Sequence, residues 1–201
     1  MTRPKLSTLA RCSIAAALVG LAAPAALTED AAAPDAARLA KARDAVKELA
    51  GQLKGHLGAA LKEGGPVAAL GVCNDKAMPV TKAVGASQGL AIGRTALKVR
   101  NPDNAPDAFE TRVLEEFAAK LKAGADVAKL DHAEVVEVGG VKTFRYMKAI
   151  PMAGEPCALC HGSAVTDDVK AAVAKLYPKD QATGFEAGEL RGAFTVTEVV
   201  K

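Results

Sequence analysis

The fold is decided by the segment His132-Ala-Glu-Val-Val-Glu-Val138-Gly139-Gly140-Val141-Lys-Thr-Phe-Arg-Tyr-Met-Lys-Ala-Ile150. Two runs rich in β-branched and aromatic residues flank a pair of glycines. Because glycine readily takes the positive φ angles of a two-residue hairpin turn, the segment predicts an antiparallel hairpin with strands over 132–138 and 141–150.

Upstream of the hairpin, apolar residues recur at helical spacing. A helix is predicted from Ala36 to about Lys62, and a second from Val67 to about Val84, with Gly64-Gly65-Pro66 between them. Pro79 is expected to end or kink the second helix. The first helix carries a seven-residue apolar stripe, which could pack on its own sheet or pair two protomers in a homodimer. The stripe comprises Leu39, Val46, Leu53 and Ala60, with Leu49 and Leu57 between them.

Short strands and helices alternate in the rest of the chain. Leu90–Val99 suggests one or two strands, and a helix starts at Pro106-Asp107 and runs to about Lys122. Asp167–Leu176 reads as a short helix and Gly192–Val200 as a final strand. The predicted class is α+β, with N-terminal helices preceding an antiparallel sheet that helices flank.

The N-terminus has the order of a secretory signal peptide. Arg3, Lys5 and Arg11 precede an uncharged stretch from Cys12 to Leu27, and small residues there lead to the first acidic residue, Glu29. The apolar run is shorter than the roughly 20 residues that span a bilayer, which favours cleavage near residue 25 over a membrane anchor. We therefore expect a periplasmic protein, not an integral membrane protein, with a signal peptide over 1–25, a linker over 26–35 and one domain over 36–201.

The charge balance gives no sign of nucleic-acid binding. The chain has 26 basic and 23 acidic residues, and the predicted signal peptide holds three basic and no acidic ones, which leaves 23 of each. No run of Lys and Arg interleaved with aromatic residues occurs either. Aromatic residues make up only 3% and Trp is absent, so a large bound cofactor could supply part of the core.

Three cysteines follow the signal peptide, an odd number for an exported chain. Two lie in Cys157-Ala158-Leu159-Cys160-His161. Thiols at this spacing can add to the two vinyl groups of one porphyrin, and the adjacent histidine then binds the iron. The motif predicts one covalent haem c, and it leaves Cys73 as the free thiol in an oxidising compartment.

Two other uses of the cysteine pair fit the sequence less well. A closed zinc site needs four ligands, and only Cys73, His56 and His132 could complete one. A thioredoxin-like pair would open a helix in a βαβ unit, and the predicted elements contain no such unit. The histidine after the second cysteine and the export signal favour haem.

The second axial ligand has several candidates. Methionine is the usual partner in small electron carriers, but any single methionine also fits a gap in a core. The two remaining histidines fit surface positions, and a ferric haem would hold a cysteine as thiolate and protect it from oxidation. The candidates are Cys73, Met78, Met147, Met152, His56 and His132.

Several motifs, in order along the chain, resemble a known family. They are Val72-Cys73, Ile92–Thr95, Arg100–Asp107, Arg145–Pro151, Cys157–Gly162, Tyr177-Pro178, Ala182–Gly184 and Leu190–Gly192. Nearly the whole mature chain thus resembles exported single-c-haem domains with a PAS-like sensor fold. Such domains occur as stand-alone proteins in cyanobacteria and proteobacteria and as extracytoplasmic parts of sensor kinases. Ala96 and Phe109 stand where Ser and Trp are common in the family, and this departure does not touch the haem.

The resemblance implies a PAS-like antiparallel sheet with the haem against it, and it implies that Cys73 and His161 are the axial ligands. The haem propionates need donors, and Arg94, Arg100 and Arg145 lie in the family-like segments. Arginine binds carboxylates bidentately, so these three are the candidates, although each could equally be a solvated strand residue.

Two functions follow from a Cys/His-ligated, low-potential iron. In a redox or small-ligand sensor, release of Cys73 on reduction would open a position for NO or CO. In an electron carrier, both ligands would stay while single electrons pass to a partner protein. An enzyme such as a peroxidase is not expected, because only His56 or His132 could supply a distal imidazole.

Overall fold

The predicted hairpin is confirmed and forms half of a four-stranded antiparallel sheet. The computed structural model describes residues 35–200, so the predicted signal peptide (1–25) and, apart from Asp35, the linker (26–35) lie outside the described residues. Strands β2 (Asp131–Val138) and β3 (Val141–Pro151) are joined by Gly139 and Gly140, with φ angles of 60° and 80°. Those angles are the ones that the glycine pair was expected to supply.

The final strand lies in the middle of the sheet. The order is β1-β4-β3-β2, where β1 is Ala91–Thr95 and β4 is Leu190–Val199. The predicted strand over 192–200 is thereby confirmed, whereas residues 97–99 form no strand. Their carbonyls accept hydrogen bonds from outside a strand pair instead. The carbonyl of Val99 accepts from Gln181 N (2.8 Å), and that of Lys98 accepts from Arg191 Nη1 (3.3 Å).

The helices are α1 (Ala36–Gln88), α2 (Ala108–Lys122), the four-residue α3 (Ala158–His161) and α4 (Asp167–Leu176), with 3₁₀ turns at Pro102–Asn104 and Val127–Lys129. The predicted break in α1 is confirmed by non-helical angles at Gly64 and Gly65. The helix does not end at Pro79 but continues to Gln88. The buried residues Ala77, Thr81 and Val84 lie around that proline, so tertiary packing outweighs its cost.

The first part of the α1 stripe packs on the protein's own sheet. Val46 of the stripe, with its neighbours Ala42 and Ala45, shares one core cluster with Leu90 of the loop before β1 and with sheet residues. The sheet residues of this cluster are Phe144, Tyr146 and Val196. Gln88 donates to Glu48 (2.9 Å), so the two halves of α1 lie side by side. A homodimer stays a prediction. Among residues 35–200 there is no helix of the length and hydrophobicity needed to cross a membrane.

Helix α2 covers the other face of the sheet. Its start is the predicted one, because Asp107 caps the helix by accepting from Glu110 N (2.8 Å), and the Glu110 carboxylate accepts from Asp107 N (3.1 Å). Its apolar side packs on sheet residues in a second core cluster. The members of that cluster are Val113, Leu114, Phe117, Met147, Ala149 and Ala193. The result is the predicted α+β arrangement.

Arg145 points from β3 into the start of α2. Its Nη2 lies 2.7 Å from Asp107 Oδ2 and 3.3 Å from Glu110 Oε1, and its guanidinium lies over the ring of Phe109. The side chains of Arg145 and Glu110 are 9% and 11% exposed. The propionate role predicted for Arg145 finds no support in this position, because two carboxylates already take up its charge and it anchors α2 to the sheet.

We expect Arg145→Leu to lower the free energy of unfolding by about 2–4 kcal/mol, since it leaves the buried Glu110 carboxylate without its cation. The control is Arg112→Leu on α2. The ion pairs of Arg112 are more exposed, so this substitution should lower the free energy of unfolding by less than about 1 kcal/mol. Urea unfolding of both variants measures the difference. Equal losses would contradict the anchoring role.

Glycine at position 192 lets β4 approach the end of β1. A methyl group there would collide with the carbonyl oxygen of Thr95 and lie 3.0 Å from Cβ of Ala96. Gly192→Ala should therefore destabilise the protein by about 1–3 kcal/mol. Gly154→Ala, with no atom within 4 Å of the added carbon, is the matched control. A thermal midpoint for Gly192→Ala as high as that of the control would refute this close approach.

Candidate functional site

The Cys-x-x-Cys-His segment forms a single helical turn. Cys157 precedes α3, and its carbonyl accepts from His161 N (3.0 Å). Residues three and four apart lie on one side of a helix, so Cys157, Cys160 and His161 share a side of this turn. Both cysteines are free thiols and half-buried. The turn thus presents two sulfurs and an imidazole together, as the motif requires.

Apolar packing and a neighbouring loop both hold the turn in place. Met152 is buried against Cys157 and Ala158, together with Ala182 and Phe185. The carbonyl of His161 accepts from Phe185 N (3.0 Å), and that of Gly162 accepts from Gly184 N (3.0 Å). The turn-rich segment over 177–188 therefore fixes the motif in place.

His161 has one ring nitrogen engaged by the protein. Its Nδ1 lies 2.7 Å from the carbonyl oxygen of Ala182. A carbonyl oxygen only accepts, so Nδ1 carries the proton and Nε2 keeps its lone pair. Burial, together with the charges of Arg191 and Arg100, lowers the pKa of His161 to about 3. The imidazole is therefore neutral at physiological pH, which is the form that binds a metal.

Arg100 is taken up by groups of the protein. Its Nε lies 2.9 Å from Asp180 Oδ1, and its Nη2 donates to the carbonyls of Cys160 (2.7 Å) and Ala182 (3.2 Å). The side chains of Arg100 and Asp180 are 10% and 8% exposed. The structure thus brings Arg100 to the motif as predicted, but these partners leave the propionate role predicted for it without support.

Two further arginines lie beside the motif and, among residues 35–200, form no ion pair like that of Arg100 with Asp180. Burial lowers the pKa of Arg94, and the groups that favour its charged form are Cys73 and Tyr177, neither of which is a carboxylate. Burial and the charges of Arg100 and Arg94 lower the pKa of Arg191 to about 10. Among residues 35–200, Arg191 Nε is buried with no hydrogen-bond partner. Three guanidiniums therefore lie near His161. The carboxylate of Asp180 forms an ion pair with only one of them, that of Arg100.

Arg191 was not among the predicted site residues. It lies in one of the family-like segments, Leu190–Gly192, at the start of an alternating strand, and that placement was the available signal. Arg191 is far from Arg94 and Arg100 in sequence, so the sequence alone did not indicate that the three side chains lie near one another. Arg94 lies on β1 and Arg191 on β4, and these two strands pair.

Cys73 reaches the site from the second half of α1. Leu70, one turn earlier, packs in a cluster that contains Cys160 and Tyr177. Burial raises the pKa of the Cys73 thiol, and the positive charges of Arg94 and Arg100 act in the opposite direction. Cys73, Cys160, His161, Arg94 and Arg100 are thus brought together, and Arg145 is not among them.

The other candidate ligands lie in different surroundings. Met78 lines a cavity of about 240 Å³ that Arg94 also lines. Met147 is buried between β3 and α2, His56 is exposed on α1, and His132 lies 3.0 Å from Glu134 Oε2. Within residues 35–200 there is no group of three or more His, Cys, Asp and Glu side chains placed to hold a metal ion.

Comparison with known proteins gives a solved structure and a family. No curated protein sequence matches the chain. The crystal structure of the cyanobacterial heme-protein Tll0287 is 26% identical, with a TM-score of 0.61 over 84% of this chain and 98% of that chain. This similarity confirms the PAS-like α+β fold. The model of the Tll0287-like family matches residues 25–198, which confirms the resemblance that the ordered motifs indicated. The chain belongs to the Tll0287-like family.

Proposed function

We propose that the protein binds one haem, attached covalently as haem c through Cys157 and Cys160, with His161 as an iron ligand. The observation that carries the proposal is the hydrogen bond from His161 Nδ1 to the carbonyl of Ala182 within the Cys-x-x-Cys-His turn. It fixes the tautomer that leaves Nε2 for iron. The heme-protein Tll0287, which covers most of this chain, supports the same cofactor.

The charges around the turn fit the two propionates of such a cofactor. Arg94 and Arg191 are half-buried, and among residues 35–200 neither forms an ion pair with a carboxylate, while Arg191 Nε is a buried donor with no partner there. Burying a charge is costly unless it is paired, so two carboxylates would relieve both arginines. We assign propionate binding to these two and not to Arg100 or Arg145. When bound, the haem supplies an iron that cycles between ferric and ferrous states.

Cys73 is the proposed second axial ligand. Its position beside Arg94, Arg100 and Cys160 supports this, as does the Cys/His ligation that the family resemblance implies. A thiolate donates charge to iron and stabilises the ferric state, so the reduction potential is low.

For the exported protein, we propose the role of a redox or small-ligand sensor in the periplasm. Cys73 lies on α1, whereas Cys157, Cys160 and His161 lie on the turn at α3, and the two elements meet through the apolar cluster of Leu70 and Cys160. Cys73 can therefore leave the iron without disturbing the covalent attachment. A vacated position would accept NO or CO, and the domain would have two states.

Mass spectrometry of protein from the periplasm should show the chain cut near residue 25 plus the mass of one haem that acid and acetone do not extract. Replacing both Cys157 and Cys160 by Ala should abolish the added mass, because the vinyl groups then have no thiol to react with. Cys73→Ala, which leaves the attachment residues intact, is the control and should keep it. Extractable haem, or none, would refute the attachment.

Cys73→Ser should keep the covalent haem, shift the ferric spectrum towards high spin and raise the reduction potential, since a strong anionic donor is lost. Met78→Leu, a change near the cavity beside Arg94, should leave the spectrum unchanged. Spectra of the oxidised and reduced proteins measure both effects. An unchanged spectrum for Cys73→Ser would exclude the thiolate ligand.

The sensor role is tested with CO. Reduced wild-type protein should bind CO without loss of haem, as Cys73 gives up its position. If both ligands instead stay through the redox cycle and CO does not bind, the protein is an electron carrier. Ultraviolet–visible spectra of the reduced protein, with and without CO, decide between the two.

A further inference from the structure

The carbonyl oxygen of Ala182 accepts two hydrogen bonds at the centre of the site. One comes from His161 Nδ1 at 2.7 Å and the other from Arg100 Nη2 at 3.2 Å. A carbonyl oxygen has two lone pairs, so it can serve both donors. The two donors share its electron density, however, and each affects how strongly the oxygen accepts from the other.

Asp180 holds this arrangement from the other side. Its Oδ1 accepts from Arg100 Nε (2.9 Å) and from Ala182 N (3.1 Å), so one carboxylate bonds both to the guanidinium and to the backbone of the residue whose carbonyl faces His161. The Arg100 and Asp180 side chains are 10% and 8% exposed, which limits screening by water. The geometry is therefore set by the protein and not by solvent.

Arg100 also contacts the residue before the histidine. The same Nη2 donates to the carbonyl of Cys160 (2.7 Å). Arg100 thus bridges the helical turn that carries His161 and the loop that supplies the acceptor for its ring. Neither contact reaches Nε2, so Arg100 acts on His161 only through neighbouring groups.

We propose that the buried Arg100–Asp180 pair positions His161 and adjusts, through the shared carbonyl of Ala182, how strongly its ring donates to iron. The part that concerns iron rests on the proposed function. A partner of the outer imidazole nitrogen orients a metal-bound histidine and sets its basicity. Arg100 draws electron density from the carbonyl and weakens its bond to Nδ1–H, while Asp180 offsets part of that charge.

The test compares Arg100→Gln with Arg191→Gln in the full-length, haem-loaded protein. Both remove a positive charge near His161, so both should lower the reduction potential. Only Arg100 shares the carbonyl of Ala182. In Arg100→Gln the Nδ1 proton resonance of His161 should therefore move downfield as its hydrogen bond strengthens, and in Arg191→Gln it should stay. The resonance is measured by nitrogen-15 NMR of histidine-labelled, reduced protein under CO, where six-coordinate iron is diamagnetic whether CO or Cys73 is bound.

Two further variants distinguish the proposed effect from unfolding of the protein. Arg100→Lys keeps the charge but not the planar fork, so potential and resonance should both recover in part. Asp180→Asn keeps shape and acceptor but removes the charge that offsets Arg100. It should move the resonance upfield and raise the potential, opposite to Arg100→Gln.

A resonance unmoved in Arg100→Gln, or moved equally in Arg191→Gln, overturns the inference. Failure of the proposed function looks different, because mass spectrometry would then find no covalent haem. The Nδ1 proton shift can be read in that case from the haem-free chain, where the bond to Ala182 makes the same prediction for positioning.

Discussion

The pairing of β4 with two strands at once holds the sheet and the site together. Thr195 lies opposite Gly93 of β1 on one side and opposite Met147 of β3 on the other. Without β4, the hairpin and β1 would share no hydrogen bonds. Because the side-chain period of a strand is two, this register also decides which residues face α1 and which face α2.

The site that results is short of negative charge. Arg94, Arg100 and Arg191 converge on His161, and Asp180 forms an ion pair with Arg100 alone. Half-buried cations that lack an anion, as Arg94 and Arg191 do among residues 35–200, lower stability, so this grouping costs free energy in the chain by itself. A ligand that brings two carboxylates would offset that cost, and binding and folding would then support each other. A change to any of the three arginines would then affect both ligand binding and stability.

Local chemistry explains what the sequence made predictable. The hairpin follows from two glycines between β-rich runs, the start of α2 from Pro106-Asp107, and the cofactor motif from five consecutive residues. The break at Gly64 and Gly65 was predictable for the same reason. Each of these signals lies within a few residues of the feature that it specifies.

Partners that are distant in sequence could not be read from local patterns. Arg100 pairs with Asp180, 80 residues away, and Arg145 with Asp107, 38 residues away, so neither role was visible in a local pattern. Residues 97–99 have strand-like composition, but their carbonyls accept from Gln181 and Arg191. Arg191 was missed because its neighbours are assembled only in three dimensions.

The central place of the last strand also sets the order in which the molecule can form. Ala91 pairs with Thr197, so the two strands that close the sheet are separated by most of the domain. Contacts between residues far apart in sequence carry a large loop-closure entropy and slow the folding of a chain. The cysteine pair at 157–160 precedes β4 in the chain, so its thiols are synthesised before the strand that links β1 to the hairpin.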